Sequence, residues 1–128
     1  MSSPSEPNGL SRLGQIGISV HDLAAASRFY GDVLGLPRLF EMPTMAFFDL
    51  AGVRLMLAVP DHGQPVHPSS ILYFKVDDIR AAHATLESRG VVFERAPTLV
   101  AKMPDHELWM AFFRDPERNL HALMSEVR

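Results

Sequence analysis

The chain contains no cysteine, which removes disulfide staples, thiolate metal sites and cysteine nucleophiles from consideration. No apolar run approaches the roughly 20 residues that a membrane-spanning helix needs. Positive charge is sparse as well: 12 Lys and Arg stand against 15 Asp and Glu, for a net charge of −3, and the basic residues are scattered. A nucleic-acid binder needs a concentrated positive surface, so that class is not expected. The opening MSSPSEPNG has neither the positive stretch nor the apolar stretch of a secretory signal. Its Ser, Pro and Gly content reads as a disordered leader over residues 1–11, and a cytoplasmic address is expected. Without staples, burial alone must hold the remaining chain. A chain of 128 residues buries roughly two-thirds of its unfolded surface, enough for a core.

What is present is a repeat. IGISVHDLAAASRFYGDVLG at residues 16–35 and ILYFKVDDIRAAHATLESRG at residues 71–90 follow one plan. Each starts with alternating apolar residues, reaches an aspartate, runs through an amphipathic segment and stops at glycine. In the first copy Ile16, Ile18 and Val20 alternate with Gln15, Gly17 and Ser19, as a strand with two unlike faces does. Asp22 is placed to cap the helix that follows, and Gly35 to end it in the left-handed conformation. In the second copy Leu72, Phe74 and Val76 mark the strand, Asp78 the cap and Gly90 the stop. Strand-like runs follow each helix: residues 38–40, 46–50 and 53–59 first, then 91–95, 108–114 and 119–124. The order is β-α-β-β-β, twice. Residues 12–59 form the first module, the Pro-rich stretch 60–70 a linker, and residues 71–126 the second module. Two similar units packed together suggest a binding site between them.

The pattern V-x-D-L-x-x-A-x-x-F-Y-x-D-V-L-G-L at residues 20–36, with FFRDPERNLHAL at residues 112–123, resembles the vicinal oxygen chelate superfamily. That group contains glyoxalase I, the extradiol dioxygenases and the bleomycin-resistance proteins. The resemblance implies an α+β fold in which two βαβββ modules form a cup-shaped, partly closed mixed sheet with helices outside. It also implies a homodimer, because members usually pair. The family usually has glycine where Arg118 stands, so a left-handed turn there would cost about 1 kcal/mol, unless Asn119 takes that position.

The resemblance locates four positions at which relatives hold a divalent metal, and they fall on Gln15, Met56, Ile71 and Ala122. Gln15 has an amide oxygen. Ile71 and Ala122 have no lone pairs, and the Met56 thioether is soft and neutral, a poor partner for the ions this family uses. The set predicts no metal and no other cofactor.

What the cup then offers is a mostly apolar floor. Alternation places Gln15, Gly17, Ser19, Arg54, Met56, Ile71, Tyr73, Lys75 and Ala122 on the faces that carry ligands in the family, with Trp109 adding bulk on a neighbouring strand. Such a floor suits an aromatic or lipid-like small molecule. Gln15 and Tyr73 would orient it, and Arg54 or Lys75 would meet an anionic or carbonyl group. The expected function is metal-independent binding of an apolar or aromatic small molecule, with no nucleic acid and no membrane as partner. The alternative is a metal-independent isomerase, lyase or hydrolase in which His106 and Asp105, adjacent in KMPDHELW, act as an acid–base pair. A metal-dependent lyase of glyoxalase type is a further alternative. The other histidines read as solvated or hydrogen-bonded surface residues.

Overall fold

Both aspartates cap their helices as the repeat predicts. The Asp22 carboxylate accepts the Ala25 N–H and that of Asp78 the Ala81 N–H, each at 3.0 Å. Gly35 and Gly90 then stop the helices with φ of 80° and 93°. The computed structural model describes residues 9–62 and 64–128. The expected leader falls outside the described residues as far as residue 8. The first module runs β1 (Gln15–Ser19), α1 (Leu23–Arg28), a π-helical turn (Phe29–Val33), β2 (Arg38–Met42), β3 (Met45–Leu50) and β4 (Val53–Ala58). The second runs β5 (Leu72–Lys75), α2 (Ile79–Ser88), β6 (Phe93–Lys102), β7 (Glu107–Arg114) and β8 (Leu120–Val127).

Two details depart from the expectation. Gly35 follows its capping aspartate by 13 positions and Gly90 by 12. The π-helical turn takes up the extra residue, since such a turn is one residue longer than a regular one. Strand β6 also extends well beyond residues 91–95, through Pro97. It lies at the edge of its sheet, where a missing N–H breaks no ladder bond, and its register against β7 shifts three times.

Each module makes one four-stranded sheet, ordered β1-β4-β3-β2 and β5-β8-β7-β6. The first and last strands of each module pair in parallel, and the other pairings are antiparallel. Alternation gives each sheet a helix face and a bare face. On the helix face of the first, Ile18, Phe48, Leu55 and Leu57 bury against Ala26 and Tyr30. On that of the second, Ala111, Phe113 and Leu123 bury against Ile79 and Leu86. Phe29, Val33 and Leu34 from the end of the first helix pack into this second core too. One helix therefore serves both sheets. Their helix faces share it, and the bare face of each sheet is the side away from its helix. Among the described residues, no helix is long and apolar enough to cross a membrane.

The modules are locked by a buried polar chain. The Tyr30 hydroxyl donates to Asp115 Oδ2 at 2.6 Å and lies 2.7 Å from His121 Nε2. The Leu72 N–H donates to His121 Nδ1, so the ring proton sits on Nε2 and points at the Tyr30 oxygen. Asp115 also accepts the backbone N–H groups of Glu117 and Asn119 and the Asn119 side-chain amide, which saturates both carboxylate oxygens. His121 is thus wholly buried, which corrects the surface reading of that histidine. Burial pushes the Tyr30 phenol far above its usual range, and the adjacent Asp115 charge adds to this. Burial also holds the His121 imidazole below its ordinary value, against the pull of Asp115.

The turn that carries Asp115 docks a second time. The Glu117 carboxylate accepts the His21 and Asp22 N–H groups and contacts His21 Nδ1 at 2.8 Å. Its burial opposes ionisation, but those hydrogen bonds prevail and hold it below the usual carboxylate range. Arg118, with φ of 69°, takes the left-handed position in this turn.

Three outcomes are expected. Arg118→Gly relieves roughly 1–2 kcal/mol of left-handed strain against about 0.4–1 kcal/mol of added unfolded-state entropy. Urea denaturation should therefore show a small net gain, and a loss would count against the strained turn. His121 binds a proton less readily folded than unfolded, so its contribution is complete above the ordinary value of 6.5 and declines as pH falls below it. Urea midpoints should drop through that range, and less steeply in His121→Gln. Tyr30→Phe should cost about 1–3 kcal/mol, because two buried partners lose their hydrogen bond.

Candidate functional site

The bare faces hold most of the residues that alternation assigned to them. On the first sheet Gln15 lies beside Arg54, Gly17 beside Met56 and Ser19 beside Ala58. The intervening Ile18 and Leu57 point into the core. On the second, Tyr73 lies beside Ala122 and Lys75 beside Met124. Ile71, just before β5, is 39% exposed and Tyr73 47%. Ala122 is fully buried, so it can form floor but present no polar group.

Trp109 is placed elsewhere. Its neighbours in alternation, Ala111 and Phe113, are core residues, and Trp109 packs against that same helix-face cluster. The Arg80 guanidinium lies 5.2 Å from its ring centroid, and its indole N–H donates to Glu107. The run of apolar residues in β7 concealed this parity, which puts Met110 and Phe112 on the bare face instead. A further pair escaped notice in the sequence. Phe40 and Phe47 stack on the first bare face with centroids 4.4 Å apart, in register with Met56. The unbroken Ala46-Phe47-Phe48 run hides which phenylalanine faces which way, because periodicity is silent where every residue is apolar.

The four positions equivalent to the family's metal ligands can be tested on their donor chemistry. The Gln15 amide N–H points at Met56 Sδ, 3.6 Å away, and Met56 Cε would be 3.3 Å from a Cβ placed on Gly17. The thioether thus fills the space above Gly17. An amide oxygen, a thioether and two alkyl groups do not fit a hard divalent ion. Among the described residues, no group of three or more His, Asp or Glu is placed to hold one elsewhere.

At the far edge of the second sheet, His106 Nδ1 lies 2.7 Å from Asp105 Oδ1 in the β6–β7 hairpin. The His106 ring is mostly covered while Asp105 is exposed. This hydrogen bond holds the Asp105 carboxyl below its usual range. Lys75 Nζ and Glu126 Oε1 meet at 3.3 Å, and that contact lowers Glu126. Asp105 and His106 are therefore a formed pair beside an open hollow of about 460 Å³, at the rim of the bare face and away from Gln15 and Met56.

Comparison with known proteins places this architecture. The description of the Glyoxalase/Bleomycin resistance protein/Dioxygenase superfamily matches residues 12–123. Among solved structures, a member of that superfamily from Sphaerobacter thermophilus is 26% identical with a TM-score of 0.71, over 91% of this chain and 98% of that one. A glyoxalase/bleomycin resistance protein/dioxygenase from Alicyclobacillus acidocaldarius is 19% identical with a TM-score of 0.72, over 92% and 93%. A lactoylglutathione lyase from Agrobacterium tumefaciens is 22% identical with a TM-score of 0.69, over 90% and 93%. Among curated proteins, no sequence matches the chain.

The donor chemistry gives a direct expectation. Zinc or nickel titrated into the protein should produce no tight, stoichiometric binding that Gln15→Ala abolishes. Calorimetry showing such a site would overturn the assignment of Gln15 and Met56 as non-ligands.

Proposed function

The chain belongs to the Glyoxalase/Bleomycin resistance protein/Dioxygenase superfamily, and we propose that it is a member that binds an apolar or aromatic small molecule on its bare sheet faces without a metal. The observation that carries this reading is the exposure of large apolar side chains there. Phe40 and Met42 are each 46% exposed on the first face, beside Ile71 and Tyr73 on the second. Exposed apolar surface of this kind marks a place where something docks. Because the two sheets of one chain stay separate, a second copy is the natural means of enclosing a ligand: the first module of one chain closes over the second module of the other. Symmetric pairing lets both cups form at once. Gln15 and Tyr73 then supply hydrogen bonds at the floor, and Arg54 and Lys75 charge at the edge.

A second reading is supported by the formed Asp105–His106 contact. A carboxylate that orients an imidazole is the arrangement a general base requires. In this reading the protein is a metal-independent isomerase, lyase or hydrolase acting on a substrate held on the second face.

Sedimentation analysis should show a dimer that Tyr73→Glu and Phe40→Glu both shift to monomer. Equilibrium dialysis against aromatic and lipid-like compounds should find a ligand whose binding survives chelator and weakens at least about tenfold in Tyr73→Glu. A monomer that binds none of them would remove the proposal. Turnover of a bound compound, lost in His106→Ala, would favour the second reading.

A further inference from the structure

The two helices do not fill their modules equally. Eight positions after the capping aspartate, the first module carries Tyr30 and the second Leu86. Tyr30 is fully buried and its hydroxyl reaches Asp115 and His121. Leu86 is shorter and has no polar end. Beside it lies a cavity of about 370 Å³, within the range of small-molecule pockets, about 300–1,000 Å³. Leu34 and Leu36 of the first module wall one side of it; Phe74, Leu86, Phe113 and Leu123 of the second wall the other. It lies on the helix face, opposite the surface proposed above; of the residues assigned to that surface only Lys75 reaches it, at the rim.

Its rim carries one available positive charge. Arg89 ends α2 and donates a single hydrogen bond, from one terminal nitrogen to the Val33 carbonyl. Among the described residues no carboxylate pairs with it, whereas Lys75, also at this rim, is engaged by Glu126. A guanidinium so anchored keeps further N–H groups in a fixed fork, which matches the two oxygens of a carboxylate. One singly used cation above an apolar chamber balances one negative charge. A doubly charged phosphate would be left half-compensated.

We propose that this inter-module cavity is a second ligand site, which takes a small apolar carboxylate such as a medium-chain fatty acid. The hydrocarbon lies between Leu34 and Phe74, and the carboxylate meets Arg89. Because the walls and the Arg89–Val33 hydrogen bond cross from one module to the other, the ligand ties the modules together.

Octanoate is the probe, with octanol as its uncharged counterpart, titrated calorimetrically into the whole protein. Octanoate should bind saturably, one molecule per chain, and octanol more weakly. Arg89→Gln, which removes the charge, should weaken octanoate by about tenfold. Ala82→Leu, which adds bulk inside the cavity, should abolish it. Should that variant fail to fold, methyl resonances of the unaltered protein decide the matter. Shifts at Leu34, Leu86 and Leu123 support the site. Shifts confined to Met42 and Met56 would place octanoate on the bare face and overturn it. So would the absence of saturable binding, or equal affinity for octanoate and octanol.

Discussion

The hydroxyl of Tyr30 holds this molecule in its arrangement. It extends from the first helix into the second module, where it donates to a carboxylate already saturated by its own turn and accepts from an imidazole whose other nitrogen is engaged by a strand N–H. Each polar atom in this chain has a partner, which is the condition for burying a charge at tolerable cost. Among the described residues no ladder joins the two sheets. Their relative placement therefore rests on this chain, on the docking of Glu117 against His21 and Asp22, and on the apolar contacts of Phe29, Val33 and Leu34.

That placement governs the surfaces available for function. With α1 shared between both cores, the helix faces are occupied and the bare faces are left uncovered. Met56 takes the space over Gly17. The charged groups of the second face gather at its rim, as Lys75 with Glu126 and as His106 with Asp105. Apolar centre and polar edge are the features on which the proposed small-molecule site rests.

Much of this was legible in the residues. The capping aspartates and the glycine stops are local devices, so Asp22, Asp78, Gly35 and Gly90 declare them without help from tertiary structure. Alternation was readable wherever polar and apolar residues truly alternate, as in β1 and β5. It failed in the apolar runs of β3 and β7, which is why Phe47 went unplaced and Trp109 was assigned to the wrong face. Strand β6 runs on past residue 95 through Pro97, and only its position at a sheet edge makes that proline harmless. His121 looked like any other strand histidine; its burial depends on Tyr30, 91 residues away.

The sequence alone determined the two βαβββ modules, their helix boundaries and the chemistry of the Gln15, Met56, Ile71 and Ala122 set, because these follow from periodicity, capping and the lone pairs each side chain owns. Tertiary structure decided which face of each sheet is covered. It also decided that one helix serves both sheets and that a cavity opens beside Leu86. These depend on how two separately folded units dock, through contacts between residues far apart in the chain that no local pattern encodes.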